Sequence, residues 1–123
     1  MRASPRADRV GDEIREIVAS TLLLDAGDPR LQELEVTGVR VSSDLSTARV
    51  FWVPVAREVP TEEQVKQFAR ALASAAGFLR GRVAQRLRLR HTPELSFEFD
   101  ESVERGRRME RLLSTLDIPN DAD

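Results

Sequence analysis

Apolar positions near the start of the chain follow a helical period. Val10, Ile14, Ile17, Val18 and Thr21 fall on one stripe, which predicts an amphipathic helix over Pro5 to Leu24. Ser4 suits its N-cap and Pro5 its first helical position. Gly27, Asp28 and Pro29 then punctuate the chain. Two strand-like segments follow, 34–42 and 47–55, with Ser43-Asp44-Leu45-Ser46 suited to a hairpin turn between them. In the first segment the apolar parity switches at Gly38, which a bulge explains. In the second, Pro54 cannot donate to a ladder and belongs near a strand end or on an edge.

The second helix announces itself with Thr61-Glu62-Glu63-Gln64, a capping box after Pro60. Val65, Phe68, Ala69, Leu72, Ala73 and Ala76 recur at helical spacing. The pattern breaks at Gly77 and restarts with Leu79, Val83 and Leu87, which predicts a kink or a turn between two helices at that glycine. Over 94–100 the odd positions are apolar and the even ones polar, the mark of a strand with one buried face. A closing helix from Ser102 to Leu116 is expected to point Val103, Met109, Leu112, Leu113 and Leu116 inward. These elements specify an α+β domain with a small three-stranded sheet and helices on one face, spanning 1–116. Residues 117–123 read as a short, flexible acidic tail carrying Asp117, Asp121 and Asp123.

Composition narrows the chemistry. The 123 residues include no Cys, which excludes disulfides, a thiolate nucleophile and Cys-ligated zinc. The one His, His91, excludes a multi-His metal site. No Gly-rich phosphate loop, metal-ligand cluster or nucleophile beside a base is visible, so neither a catalytic residue nor a metal or cofactor site is assigned. The N-terminal segment lacks an apolar signal region, and no apolar run is long enough to cross a bilayer, so the expected place is the cytoplasm.

Charge is distributed unevenly. The window from Phe78 to His91 holds Arg80, Arg82, Arg86, Arg88 and Arg90 and no acid, leaving a net charge of -7 on the remainder of a chain whose total is -2. On a continuing helix Arg82 and Arg86 flank one side of the Leu79–Val83–Leu87 stripe, and Arg80 and Arg88 the other. Two basic rails in that arrangement suit a phosphate backbone. Two other readings stand beside this one: a solvated face paired with acids such as Glu94 and Glu98, and a protein–protein module with a basic groove for an acidic partner. Aromatic side chains are few, and Phe68, Phe97 and Phe99 fall on core-facing positions. Recognition is therefore expected to rest on backbone and shape rather than on stacked bases.

The order helix–strand–strand–helix–helix–strand resembles a type II KH domain, an RNA-binding fold. The GxxG loop of KH domains is missing, since the glycines at 11, 27, 38, 77, 81 and 106 include no pair three apart. Ala75-Ala76-Gly77 stands in its place. That substitution, in this order of elements, resembles the ribosome-binding factor A family. Further segments agree in register: Arg9-Val10 with Ile14 and Ile17, Asp28-Pro29-Arg30-Leu31, Val36-Thr37-Gly38-Val39, Ser43 to Val50, Ser74 to Arg80, Leu87-Arg88-Leu89-Arg90, Pro93 to Phe97 and Gly106-Arg107-Arg108-Met109. Together they cover about residues 8–116.

The resemblance implies a bacterial assembly factor that binds 16S rRNA in the free 30S subunit. It implies help in maturing the 5′ end of that rRNA, support of growth in the cold, action as a monomer, and departure aided by an assembly GTPase. It adds Ala75, Ala76 and Gly77 to the arginines as RNA-binding residues. The short acidic tail departs from the family pattern, which has a basic C-terminal extension.

Overall fold

The computed structural model describes residues 4–56 and 58–117. Helix α1 (Pro5–Leu24) is followed by a 3-10 turn (Pro29–Glu33) and by strands β1 (Leu34–Val41) and β2 (Thr47–Pro54). Helix α2 (Glu62–Arg86), strand β3 (Glu94–Phe99) and helix α3 (Glu101–Asp117) complete the chain. Of the expected acidic tail, Asp117 ends α3, and 118–123 lie outside the described residues.

Local sequence accounts for the helix starts. Ser4 accepts a hydrogen bond from the Ala7 amide at 3.1 Å, with Pro5 next to it. Thr61 and Gln64 exchange reciprocal side-chain-to-backbone bonds of 3.1 and 2.9 Å. The 3-10 turn is a feature that the sequence pattern does not show. Asp28 accepts from the Arg30 amide at its N-cap, and Leu31 is driven into the core at 1% exposure.

The sheet has the order β1-β2-β3, with β1 antiparallel and β3 parallel to the central β2. Ala48, Val50 and Trp52 of β2 pair with Leu95, Phe97 and Phe99 of β3, all on the face covered by α1 and α2. Trp52 is buried there and meets Phe68 and Phe99 edge-on, with ring centroids 6.1 and 5.3 Å away. On the opposite face the Arg49 guanidinium grips Glu98 through two bonds of 2.8 and 3.0 Å and lies 5.2 Å from the Phe51 ring centroid. Pro54 ends the central strand, where its missing N–H costs no ladder bond.

The expected bulge is present. Register shifts between Val36 and Gly38, so Thr37 is the extra residue. The bulge turns the Thr37 hydroxyl toward Asp100, which accepts its hydrogen bond at 2.5 Å. Asp100 also accepts from the Val103 amide and the Ser102 hydroxyl, and so caps α3. Burial raises the Asp100 pKa, but the bonds from Thr37, Ser102 and the Val103 and Ser102 amides outweigh it and hold the carboxyl below its ordinary value. A carboxyl with a lowered folded pKa adds stability that is complete above the unfolded value, about pH 4, and is lost as pH falls through the folded value. Asp100→Ala is therefore expected to cost about 1 kcal/mol at neutral pH, measured by thermal or urea melting. Asp100→Asn keeps a capping oxygen and should remove this carboxyl's share of the acid-side loss.

The structure corrects two expectations. First, of the two alternatives expected at Gly77, a turn between two helices is absent: Glu62–Arg86 is one helix whose backbone runs through Gly77. Its buried side is Ala71, Leu72, Leu79 and Val83, continued by half-buried Val65, Phe68, Ala75 and Leu87. That stripe keeps its phase across Gly77. The apparent break came from counting Ala69 and Ala73, which are exposed, as core positions. Gly77 lies on the exposed side, its φ is not in the left-handed region, and a Cβ built there meets nothing within 4 Å. Gly77→Ala is thus expected to stabilise the domain by up to about 1 kcal/mol, read as a raised melting temperature.

Second, α3 does not turn its apolar stripe inward. Met109, Leu112, Leu113 and Leu116 are 54, 55, 55 and 67% exposed. The helix leaves from the end of the sheet where β2 and β3 finish and is tied there by its first turns. Arg107 donates to the Pro54 carbonyl at 2.6 Å and pairs with Glu35 at 3.1 Å, while buried Glu104 pairs with Arg108 and Arg111. Val103 is half-buried as expected. Spacing alone establishes an apolar stripe but not an element that covers it.

Candidate nucleic-acid interface

The five arginines of the basic window divide into two groups. Arg80 donates to the Thr92 carbonyl at 2.7 Å and the Pro93 carbonyl at 3.2 Å, with Glu94 3.7 Å away. It clips the chain that leaves α2 back onto the helix. Arg82 donates to Asp25 at 2.7 Å, joining α2 to the end of α1, and its guanidinium lies 5.1 Å from the Phe78 ring centroid. These two cations are engaged within the fold.

Arg86, Arg88 and Arg90 are exposed and have no ion-pair or hydrogen-bond partner among the described residues. Arg86 occupies the last turn of α2. The helix ends there, with Leu87 extended at φ -111 and ψ 117, so Arg88 is not on the helical rail expected of it. In Leu87-Arg88-Leu89-Arg90 the leucines pack against the core. The Leu89 amide donates back to the Leu87 carbonyl at 2.8 Å, so the chain turns at Arg88, and Arg88 and Arg90 are both exposed while the leucines face inward. The result is a basic edge rather than two rails, and Arg80 fixes its far end.

The Ala75-Ala76-Gly77 segment lies roughly three helical turns before that edge. Ala75 and Ala76 are half-buried and Gly77 is exposed. No second helix begins at this point, so the segment supplies no free helix N-terminus for a phosphate. It provides a bare stretch of helix instead. Of the acids expected to neutralise the window, Glu94 lies near Arg80, whereas Glu98 is taken by Arg49. The sequence pattern did not place Phe78, which is 45% exposed beside Gly77. Its position off the Leu72–Leu79 stripe was the available signal.

Among the described residues, no group of three or more His, Cys, Asp or Glu side chains is placed to hold a metal ion. No described helix is long and apolar enough to cross a membrane.

Three helices, a mixed three-stranded sheet and a basic edge where α2 runs out define a small α+β domain of KH-like arrangement. A family model described as ribosome-binding factor A matches residues 6–113, and the chain belongs to that family. The crystal structure of ribosome-binding factor A from Thermus thermophilus is similar, with 29% identity, a TM-score of 0.61, and coverage of 75% of this chain and 93% of that one. A solution structure from Thermotoga maritima, of a protein described there as a ribosome binding factor A, shares 26% identity with a TM-score of 0.64, covering 80% of this chain and 90% of the other. A Thermus thermophilus ribosome binding factor A homology model, fitted into the cryo-EM map of a 30S complex, shares 30% identity. Its TM-score is 0.57, over 74% of this chain and 91% of its own.

Proposed function

We propose that this chain binds the free 30S ribosomal subunit through 16S rRNA and assists late maturation of the 5′ end of that rRNA, so supporting growth in the cold. The observation that carries the reading is the edge formed by Arg86, Arg88 and Arg90, three exposed cations left unpaired among the described residues. Guanidinium groups suit phosphate, and a mostly acidic remainder repels it, so charge alone orients the domain on RNA. Membership of the ribosome-binding factor A family, and a relative fitted into a 30S complex, support the choice of partner. The protein acts in the cytoplasm as a monomer, uses no cofactor, catalyses no reaction of its own, and leaves the subunit with help from an assembly GTPase.

The test is complementation. In a bacterial host lacking its own factor, the wild-type chain is expected to relieve cold-sensitive growth and the build-up of precursor 16S rRNA. Normal expression with neither defect relieved would overturn the assembly role.

A further inference from the structure

An exposed aromatic ring on an otherwise polar helix face stands out beside the basic edge. Phe78 is 45% exposed and is not among the hydrophobic residues packed against the core. Four residues on, Arg82 sets its guanidinium 5.1 Å from the ring centroid, and Asp25 holds that guanidinium at 2.7 Å. The cation is thus fixed by two partners, and the ring is braced from one side. Ser74, Gly77 and Gly81 surround Phe78 on the same exposed side of α2, and a Cβ built on either glycine meets nothing within 4 Å. The helix backbone beside the ring is therefore open to close approach. Arg86 follows two helical turns beyond Phe78, about 12 Å along the axis.

We propose that Phe78, braced by Arg82, is a stacking platform for one unpaired rRNA base, with the sugar–phosphate backbone passing over Gly77 and Gly81 toward Arg86. The proposal rests on the rRNA-binding reading and adds a ligand class to it: a single-stranded nucleotide whose base is splayed from its neighbours. The chemistry favours this occupant. An aromatic face takes any base, a guanidinium plane extends the platform, and glycine admits the bulk of a nucleotide backbone. Duplex RNA offers no free base face. Trp52, Phe68, Phe97 and Phe99 belong to the core, and Phe51 lies under Arg49 on the far face of the sheet, so Phe78 is the aromatic side chain of α2 available to RNA.

The experiment uses the full chain with purified free 30S subunits, and separately with single-stranded oligoadenylate and an RNA duplex of equal length. Phe78→Ala should weaken 30S binding about tenfold, the usual scale for loss of one base stack, with the salt dependence unchanged. Phe78→Leu should be as weak as Phe78→Ala, and Phe78→Tyr close to wild type. Phe78→Trp adds an exposed indole, whose fluorescence oligoadenylate should quench and the duplex should not. Binding by Phe78→Ala within twofold of wild type would overturn the platform while leaving the 30S reading intact. Full binding by Phe78→Leu would overturn it too, in favour of an apolar contact with a protein. A wild-type chain that fails to bind 30S at all would overturn the rRNA-binding reading and the platform with it.

Discussion

Reversing Arg86, Arg88 and Arg90 together to Glu is expected to weaken binding to free 30S subunits by on the order of a hundredfold or more. A hydrogen bond to a charged group contributes roughly 1.5–3 kcal/mol, and each reversal also adds repulsion from phosphate. The slope of log affinity against log salt should become shallower by about two to three, since each lost phosphate contact removes about 0.7–0.9 of a released counterion. Stability should change little, because all three side chains are exposed and unpaired among the described residues. Arg82 is a poor choice for such a test, since Arg82→Glu would face a carboxylate against Asp25, now 2.7 Å away, and strain the α1–α2 joint. Fluorescence anisotropy or filtration binding across a salt series reads both affinity and slope.

Leu79→Ala should have the largest effect on stability, a loss of about 2–5 kcal/mol. Leu79 is 0% exposed on the stripe that α2 turns toward the core. Removing its isobutyl group leaves a cavity where two helices and a sheet meet. A loss of that size is a large share of the roughly 5–15 kcal/mol that holds a domain together. Denaturant titration followed by Trp52 emission reads it directly, because this single tryptophan is 1% exposed when folded. Leu112→Ala on α3 is the control. Leu112 is 55% exposed, so its removal should stay within about 0.5 kcal/mol.

What could be read in the sequence had local causes. The Thr61–Gln64 box and the Ser4–Pro5 start each complete their bonds within a few residues, and both appear in the structure where the sequence places them. The alternation over 94–100 reports one wet and one dry face, and β3 has both. Gly38 flagged the bulge because a parity switch needs an extra residue, although the residue displaced is Thr37.

What could not be read depended on distant partners or on side chains with weak signals. Alanine is small enough to sit on either side of a helix, so Ala69 and Ala73 suggested a false phase and, with it, a break at Gly77. The 3-10 turn at Pro29–Glu33 is too short to show a period. Nothing in α3 itself reveals that its Leu112 and Leu113 stay exposed. Within the candidate interface, the arginine count was legible but the division of labour was not. Arg80 is held by two backbone carbonyls, which leave no mark in sequence, and Arg82 by an aspartate 57 positions away.

The central claim is that a basic edge attaches this domain to rRNA in the free small subunit, and co-sedimentation with purified 30S subunits tests it most directly. The wild-type chain should travel with 30S at low salt, dissociate as salt rises, and lose the association when the rRNA is digested or when Arg86, Arg88 and Arg90 are reversed. A chain that stays at the top of the gradient at low salt, or that remains bound after rRNA digestion and charge reversal, would contradict it.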